Sequence, residues 1–325
     1  MTIELPGFFD LQVNGFGGID FNGPGLTPDR AEEALERMRA TGVTRCLPTL
    51  ITSSFDDFAT NAAVMTRVSN TACAGIHMEG PYLSPDEGSR GAHPPQHLTL
   101  PSVDDFLRRQ DAARGSIRLV TLAPELPGAL PLIEHLADDG VRVAVGHTSA
   151  TPRHIADAIA AGATLATHLG NGCPQMLPRH PNVIWELLAA DAVHATVIVD
   201  GHHLPPSTVK SLIRAKGTGR TILITDAGAA AGCAPGRYRI GGVDCELGDD
   251  GRVSLPGTPY LAGSALNLAD AIANTARFTG LPIDDVVRMA STNPAGYLGL
   301  PTAGRVTAEW DAAAGRLHIR QVSTA

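Results

Sequence analysis

Hydrophobic positions along this chain follow two alternating rhythms. Short runs rich in Val, Ile and Leu recur near residues 7–14, 44–51, 73–79, 116–123, 142–147, 164–169, 194–200 and 221–226. Between them lie stretches with apolar residues every three or four positions, for example 27–41, 102–113, 128–139, 151–161 and 205–215. The first kind reads as buried strands and the second as amphipathic helices. Eight such units in series predict an α/β chain folded as a (β/α)8 TIM-like barrel, because crossovers are right-handed and a closed sheet leaves no edge. A doubly wound open sheet is the alternative. Two segments break the rhythm. Residues 80–101, GPYLSPDEGSRGAHPPQHLTLP, are too long and too rich in Pro and Gly for an ordinary turn, and predict a loop over the barrel mouth. Residues 236–257, with YRIGGVDCEL and a DDG turn before RVSL, predict an inserted β-hairpin. Helices are expected near 265–279 and 283–291, and 301–325 reads as a short β tail packing on a barrel domain of residues 1–300.

In a barrel the reacting groups sit at the C-terminal ends of the strands. Those ends carry Asp10, Gln12 and Asn14, then His77 and Glu79, His147, His168, the group Asp200, His202 and His203, and finally Asp226. Glu79, His147 and His168 supply one carboxylate and two imidazoles, a normal set for a catalytic divalent ion that keeps a position open for water. Zinc is the expected ion, with iron, cobalt and manganese as alternatives. Asp226, in ILITDAG, is the candidate general base; the competing reading is a helix N-cap, as an ion pair within the long loop is for Glu79. Lysine occurs only at Lys210 and Lys216, both on the helix side of the seventh unit, so no strand offers a carboxylated lysine to bridge two ions. Gln12-Val13-Asn14 stands where a His-x-His pair would sit and offers only amides. One metal ion is therefore expected.

Composition narrows the class further. A chain of 325 residues that is 43% hydrophobic and 18% charged can bury a large core. Its formal net charge of -8 argues against a general nucleic-acid partner, since phosphate backbones need an excess of Lys and Arg. The five cysteines form no CxxC pair, so neither a disulfide framework nor a cysteine zinc site is expected. The N-terminus MTIELPGFFD has no basic or apolar leader, and no run approaches the length of a membrane span. These features predict a cytoplasmic chain with no membrane partner.

The series PGFFDLQVNGFGG, HMEGPY, GHTSAT, THLGNG, VDGHH, LITDA, LAGSAL and NPAGYLGL resembles the N-acetylglucosamine-6-phosphate deacetylases of the amidohydrolase superfamily, from Pro6 to about Leu300. The resemblance implies metal-dependent hydrolysis of the acetamide of a phosphorylated amino sugar. It maps the metal ligands onto Glu79, His147 and His168, and the catalytic aspartate onto Asp226. By the same resemblance His93 contacts the substrate carbonyl beside Ala92, and Asn171 with Gly172 lines the substrate. Arg179 reaches the phosphate in the partner's site of a homodimer, and His203 faces the same phosphate. Leu261, Ala262 and Gly263 form a further substrate-lining turn. For Arg179, His203 and His93 the competing readings are a surface residue, a strand-end carbonyl partner and a solvated loop residue. Gln-x-Asn on the first strand is similar to the single-metal branch. Family members usually begin with a strand-rich segment that builds a small β domain with the C-terminus; here that domain is expected to be reduced or missing. Alternatives are another amidohydrolase, acting on N-acetylgalactosamine 6-phosphate, a cyclic amide or a deaminase substrate, and a non-catalytic barrel that binds sugar phosphate.

Overall fold

The computed structural model describes residues 1–258 and 260–324. The chain forms a (β/α)8 barrel. Its eight barrel strands are Phe8–Val13, Val43–Ile51, Ile76–Glu79, Ile117–Leu122, Arg142–Val145, Leu165–Ala166, His194–Ile198 and Thr221–Ile224, adjacent in the sheet in chain order. The chain divides into two compact units. One comprises Met1–Thr49, Arg67–Gly75 and Ile198–Ala325, the other Leu50–Thr66 and Ile76–Val197.

In the first unit the opening barrel strand is buried along its whole length. It lies beside the segment that follows the eighth strand: Asp226 N–H donates to the Gln12 carbonyl (2.9 Å) and Asn14 N–H to the Ala227 carbonyl (2.7 Å). Both ends of the chain build a three-stranded antiparallel sheet from Thr2–Pro6, Arg305–Asp311 and Arg316–Ser323, with Leu5 opposite Val306. The predicted hairpin is present as Gly236–Ile240 against Val243–Leu247, with Val253–Ser254 beside it. Its inward residues cover an apolar cluster of Ala230, Cys245, Leu247, Val253 and Ala262.

In the second unit, strands pair in parallel, with Leu119 beside Arg142 and Ala144 beside Leu165. The segment 80–101 is irregular apart from one turn of 3-10 helix at Pro95–His97. It is pinned by Tyr82, whose hydroxyl donates to Asp105 (2.8 Å), and by Thr99 N–H on the Pro81 carbonyl (3.1 Å). Helices Phe55–Met65 and Val183–Ala189 stand outside the apolar periods named from sequence; each starts at a side-chain N-cap, Ser54 and Asn182 respectively. His154 completes a reciprocal capping box with Thr151 at the start of Pro152–Ala161, which gives it a structural role.

Several strands stop earlier than the sequence predicted, among them the three that lead into His147, His168 and Asp226. These three end at Val145, Ala166 and Ile224 instead of 147, 169 and 226. The cause is local: His147, His168 and Asp226 have φ of 50°, 31° and 50°. A left-handed residue turns the chain out of the extended ladder. No helix among the described residues is long and apolar enough to cross a membrane.

Candidate metal centre and active site

Each strand end in question delivers a side chain through that sharp turn. Within the second unit, Glu79 Oε1 lies 3.2 Å from His147 Nε2 and 3.1 Å from His168 Nε2, and the two nitrogens are 3.0 Å apart. All three residues are buried. Burial alone would raise the Glu79 carboxyl, but hydrogen bonds from both imidazoles outweigh it and hold the group well below its ordinary range. His147 Nδ1 lies 2.9 Å from the Ser89 carbonyl, which only accepts, so Nδ1 carries a proton and Nε2 is the atom turned inward, toward Glu79 and His168. One carboxylate oxygen and two imidazole nitrogens thus converge on one buried point, the arrangement that a divalent cation takes up when the nitrogens give up their inward protons. The donor set therefore fits a divalent ion, and Glu79 is no mere loop ion pair.

The surroundings keep these rings in place. A Cβ on Gly172 would come within 3.0 Å of His147 Nδ1 and 3.1 Å of His168 Cε1, and the residue has φ of 59°, so glycine is required there. Asn171 donates from its backbone and side-chain nitrogens to the His168 carbonyl, at 2.9 and 3.3 Å. His93 is buried, packs edge-on against His147 at 4.4 Å between ring centroids, and bonds Thr52 Oγ1 through Nδ1 (2.9 Å). Burial, with the adjacent His147 ring, pushes its pKa down to about 3, so it is neutral near pH 7. It is thus a buried residue, contrary to the solvated-loop alternative. His77, on the same strand as Glu79, bonds Thr121 Oγ1 (2.8 Å), which bonds Thr167 Oγ1 (2.8 Å).

Sequence reasoning missed Glu125, which follows the fourth strand. Its carboxylate accepts from the Thr148 hydroxyl (2.5 Å) and from Ser149 N–H (2.6 Å), directly after His147. Ser149 Oγ in turn bonds Ser89 Oγ (2.8 Å), and Ser89 supplies the carbonyl that orients His147. An acidic residue at a strand end was the available signal; its partners, 23 and 24 positions away, gave none. Glu125→Ala is expected to weaken metal affinity about tenfold, the usual scale for outer partners of a ligand, and Glu125→Gln less. Chelator competition on the purified variants measures it; unchanged affinity would assign Glu125 to loop stability alone.

In the first unit, Asp226 accepts on Oδ1 from Gln12 Nε2 (3.1 Å) and Asn14 Nδ2 (2.7 Å). Asp10, fully buried beneath, accepts from the Thr225 hydroxyl (2.5 Å); burial nonetheless pushes its pKa up to about 7. Asp226 heads no helix, so the N-cap alternative fails. His203 bonds the Asp200 carboxylate through Nδ1 (2.6 Å) and so does not serve as a strand-end carbonyl partner. Burial works to raise the Asp200 carboxyl, but bonds from His203 prevail and hold it at about 2. Leu261 bridges to Ser254, Ala262 joins the apolar cluster under the hairpin, and a Cβ on Gly263 would lie 3.9 Å from the Asp226 carbonyl oxygen. In the second unit, Ala92 and Arg179 are exposed.

Comparison with known proteins gives the family and supports the fold. The amidohydrolase family matches residues 3–314. The N-acetylglucosamine-6-phosphate deacetylase of Lysinibacillus sphaericus is 32% identical over 95% of the chain and 79% of its own length. The N-acetylgalactosamine-6-phosphate deacetylase of Shewanella sp. is 32% identical over 94% and 78%. Among solved structures, the N-acetyl-D-glucosamine-6-phosphate deacetylase of Mycobacterium smegmatis, a mutant in complex with N-acetyl-D-glucosamine-6-phosphate, superposes with a TM-score of 0.92. It is 34% identical, and the match covers 99% of this chain and 86% of that one. With a family match along nearly its whole length, and with an amidohydrolase-type barrel carrying a Glu-His-His centre, the chain belongs to the amidohydrolase family.

Proposed function

We propose that this enzyme hydrolyses the acetamide of N-acetyl-D-glucosamine 6-phosphate to the amino sugar phosphate and acetate. The observation that carries the proposal is the convergence of Glu79, His147 and His168 in a chain similar to named deacetylases throughout. Those three residues hold one divalent ion, which we assign as zinc because two imidazoles and a carboxylate suit it. When bound, such an ion supplies Lewis acidity toward water and the amide carbonyl. Asp226 takes the proton of the attacking water and returns it to the departing nitrogen. Neutral His93, held by Thr52, donates a hydrogen bond to the carbonyl oxygen as charge develops there. Ala92, Asn171, Gly172 and the turn Leu261, Ala262 and Gly263 line the sugar.

The 6-phosphate is assigned to His203, whose ring Asp200 orients, and to Arg179 supplied by the second copy of a homodimer. The segment bearing Arg179 suits an interface: Met176 is 88% exposed and Trp185 52% exposed, and Met, Trp and Arg are residue types enriched where proteins meet. Residues 1–300 carry the chemistry in this reading, and 301–325 form a structural tail. Cysteines that are all free accord with a cytoplasmic setting.

The test is acetate release by zinc-loaded protein from N-acetylglucosamine 6-phosphate, from its galacto epimer and from the unphosphorylated sugar. The phosphorylated gluco substrate should lead, with kcat/KM at least about 100-fold above the free sugar, as expected for loss of charge-assisted phosphate contacts. Absence of acetate would overturn the reaction. Equal rates with and without phosphate would overturn the substrate, and preference for the epimer would reassign the sugar.

A further inference from the structure

Gln12 and Asn14 occupy the positions where a second metal would find only amide ligands. Both amides are instead engaged with Asp226, donating to the same oxygen, Oδ1, at 3.1 and 2.7 Å. A carboxylate oxygen only accepts, so each amide must present its NH2 group, which fixes both orientations. The two side chains are 2% and 5% exposed, and their strand is bonded to the Asp226 segment through the Gln12 carbonyl and the Asn14 N–H. Turning either amide over would set its oxygen against the Asp226 carboxylate, and the present orientation is kept although Asn14 Oδ1 is buried without a hydrogen-bond partner.

We infer that Gln12 and Asn14 are positioning residues for the Asp226 base, holding its carboxylate through Oδ1 in the orientation that catalysis uses. The inference rests on Asp226 being the base. A water proton passes to the Asp226 carboxylate as the water oxygen bonds the carbonyl carbon. That proton then moves from the carboxyl to nitrogen as the C–N bond breaks, so amide and water give acetic acid and amine, which part as acetate and ammonium, and the Asp226 carboxylate is restored. Amide donors have no proton to lose in the physiological range, so they hold Oδ1 in both states of the cycle. They also stop the carboxylate from turning between two equivalent oxygens, which would place the proton away from the leaving group.

The experiment is a double-mutant cycle: Asn14→Ala, Gln12→Met and the pair, each made in the parent chain and in Asp226→Asn, with metal content and melting temperature recorded for every variant. In the parent chain each single change should lower kcat about 10-fold or more, the scale of one hydrogen bond to a charged group, with KM and metal content unchanged. In the Asp226→Asn background the same changes should cause no further loss. Full activity of both single variants and of the pair, while Asp226→Asn is inactive, overturns the inference; so does a rise in KM at constant kcat. Activity of Asp226→Asn itself overturns the reading on which the inference rests. Gln12→Met keeps the side-chain volume, so the test stands even if Asn14→Ala does not fold.

Discussion

Replacing Asp226 by Asn is expected to lower kcat roughly 1,000-fold, within the span that a positioned acid-base group contributes, with KM and metal content close to those of the parent. The change is nearly isosteric. The Asn side-chain oxygen can still accept from Gln12 Nε2 and Asn14 Nδ2, which now hold Oδ1 at 3.1 and 2.7 Å, so the turn should keep its shape. What disappears is the second oxygen's capacity to take a proton, since its place is filled by NH2. Steady-state acetate release combined with metal analysis separates the two effects. A variant with full metal and undiminished turnover would remove Asp226 from the chemistry altogether.

Stripping the ion, or deleting a ligand, should have a comparable effect on rate and an additional one on stability. His168→Ala and Glu79→Ala are each expected to reduce bound metal from about one equivalent toward zero, because a two-ligand remnant of a three-ligand site loses most of its affinity. Acetate release should fall to background, and chelation of the parent should do the same until zinc is restored. An ion bound only by the folded chain stabilises it by about 4 kcal/mol when present at a thousand times its Kd. The chelated parent should therefore melt well below the loaded parent, whereas His168→Ala should melt at one temperature with and without zinc. Retention of stoichiometric metal by both variants would move the centre elsewhere.

The barrel was legible because its strands are continuous β-branched runs and its helices keep a clean apolar period. Ser54 and Asn182 head helices whose caps are visible in sequence but whose short apolar faces were not. The three metal-site residues could be read from sequence because each ends a strand, so position along the chain stands in for position in space. Glu125 and Thr52 also follow strand ends, but nothing along the chain marked what they bond, and Ser89 lies in the irregular segment 80–101. Their partners lie between 23 and 60 positions away, and only the folded chain makes them neighbours. Gln12 and Asn14 were visible as residues, and their spacing said what they would not bind. That both amides serve one carboxylate more than 200 positions away follows only from the pairing of the first strand with the segment after the eighth.

The left-handed turns at the strand ends have a further consequence. Among the described residues, four other than glycine have positive φ, and three of them are His147, His168 and Asp226. Such conformations cost on the order of 1 kcal/mol each and suit Gly or Asn better than His. The chain thus keeps its least comfortable backbone at the residues assigned to its chemistry. A population of variants chosen for heat resistance alone would drift toward Gly and Asn at these positions and become sturdier and inert, whereas selection for turnover would hold the strained residues in place. Durability and activity draw on the same three residues in opposite directions, so a hardier form of this enzyme has to be sought in its helices and loops rather than at its rim.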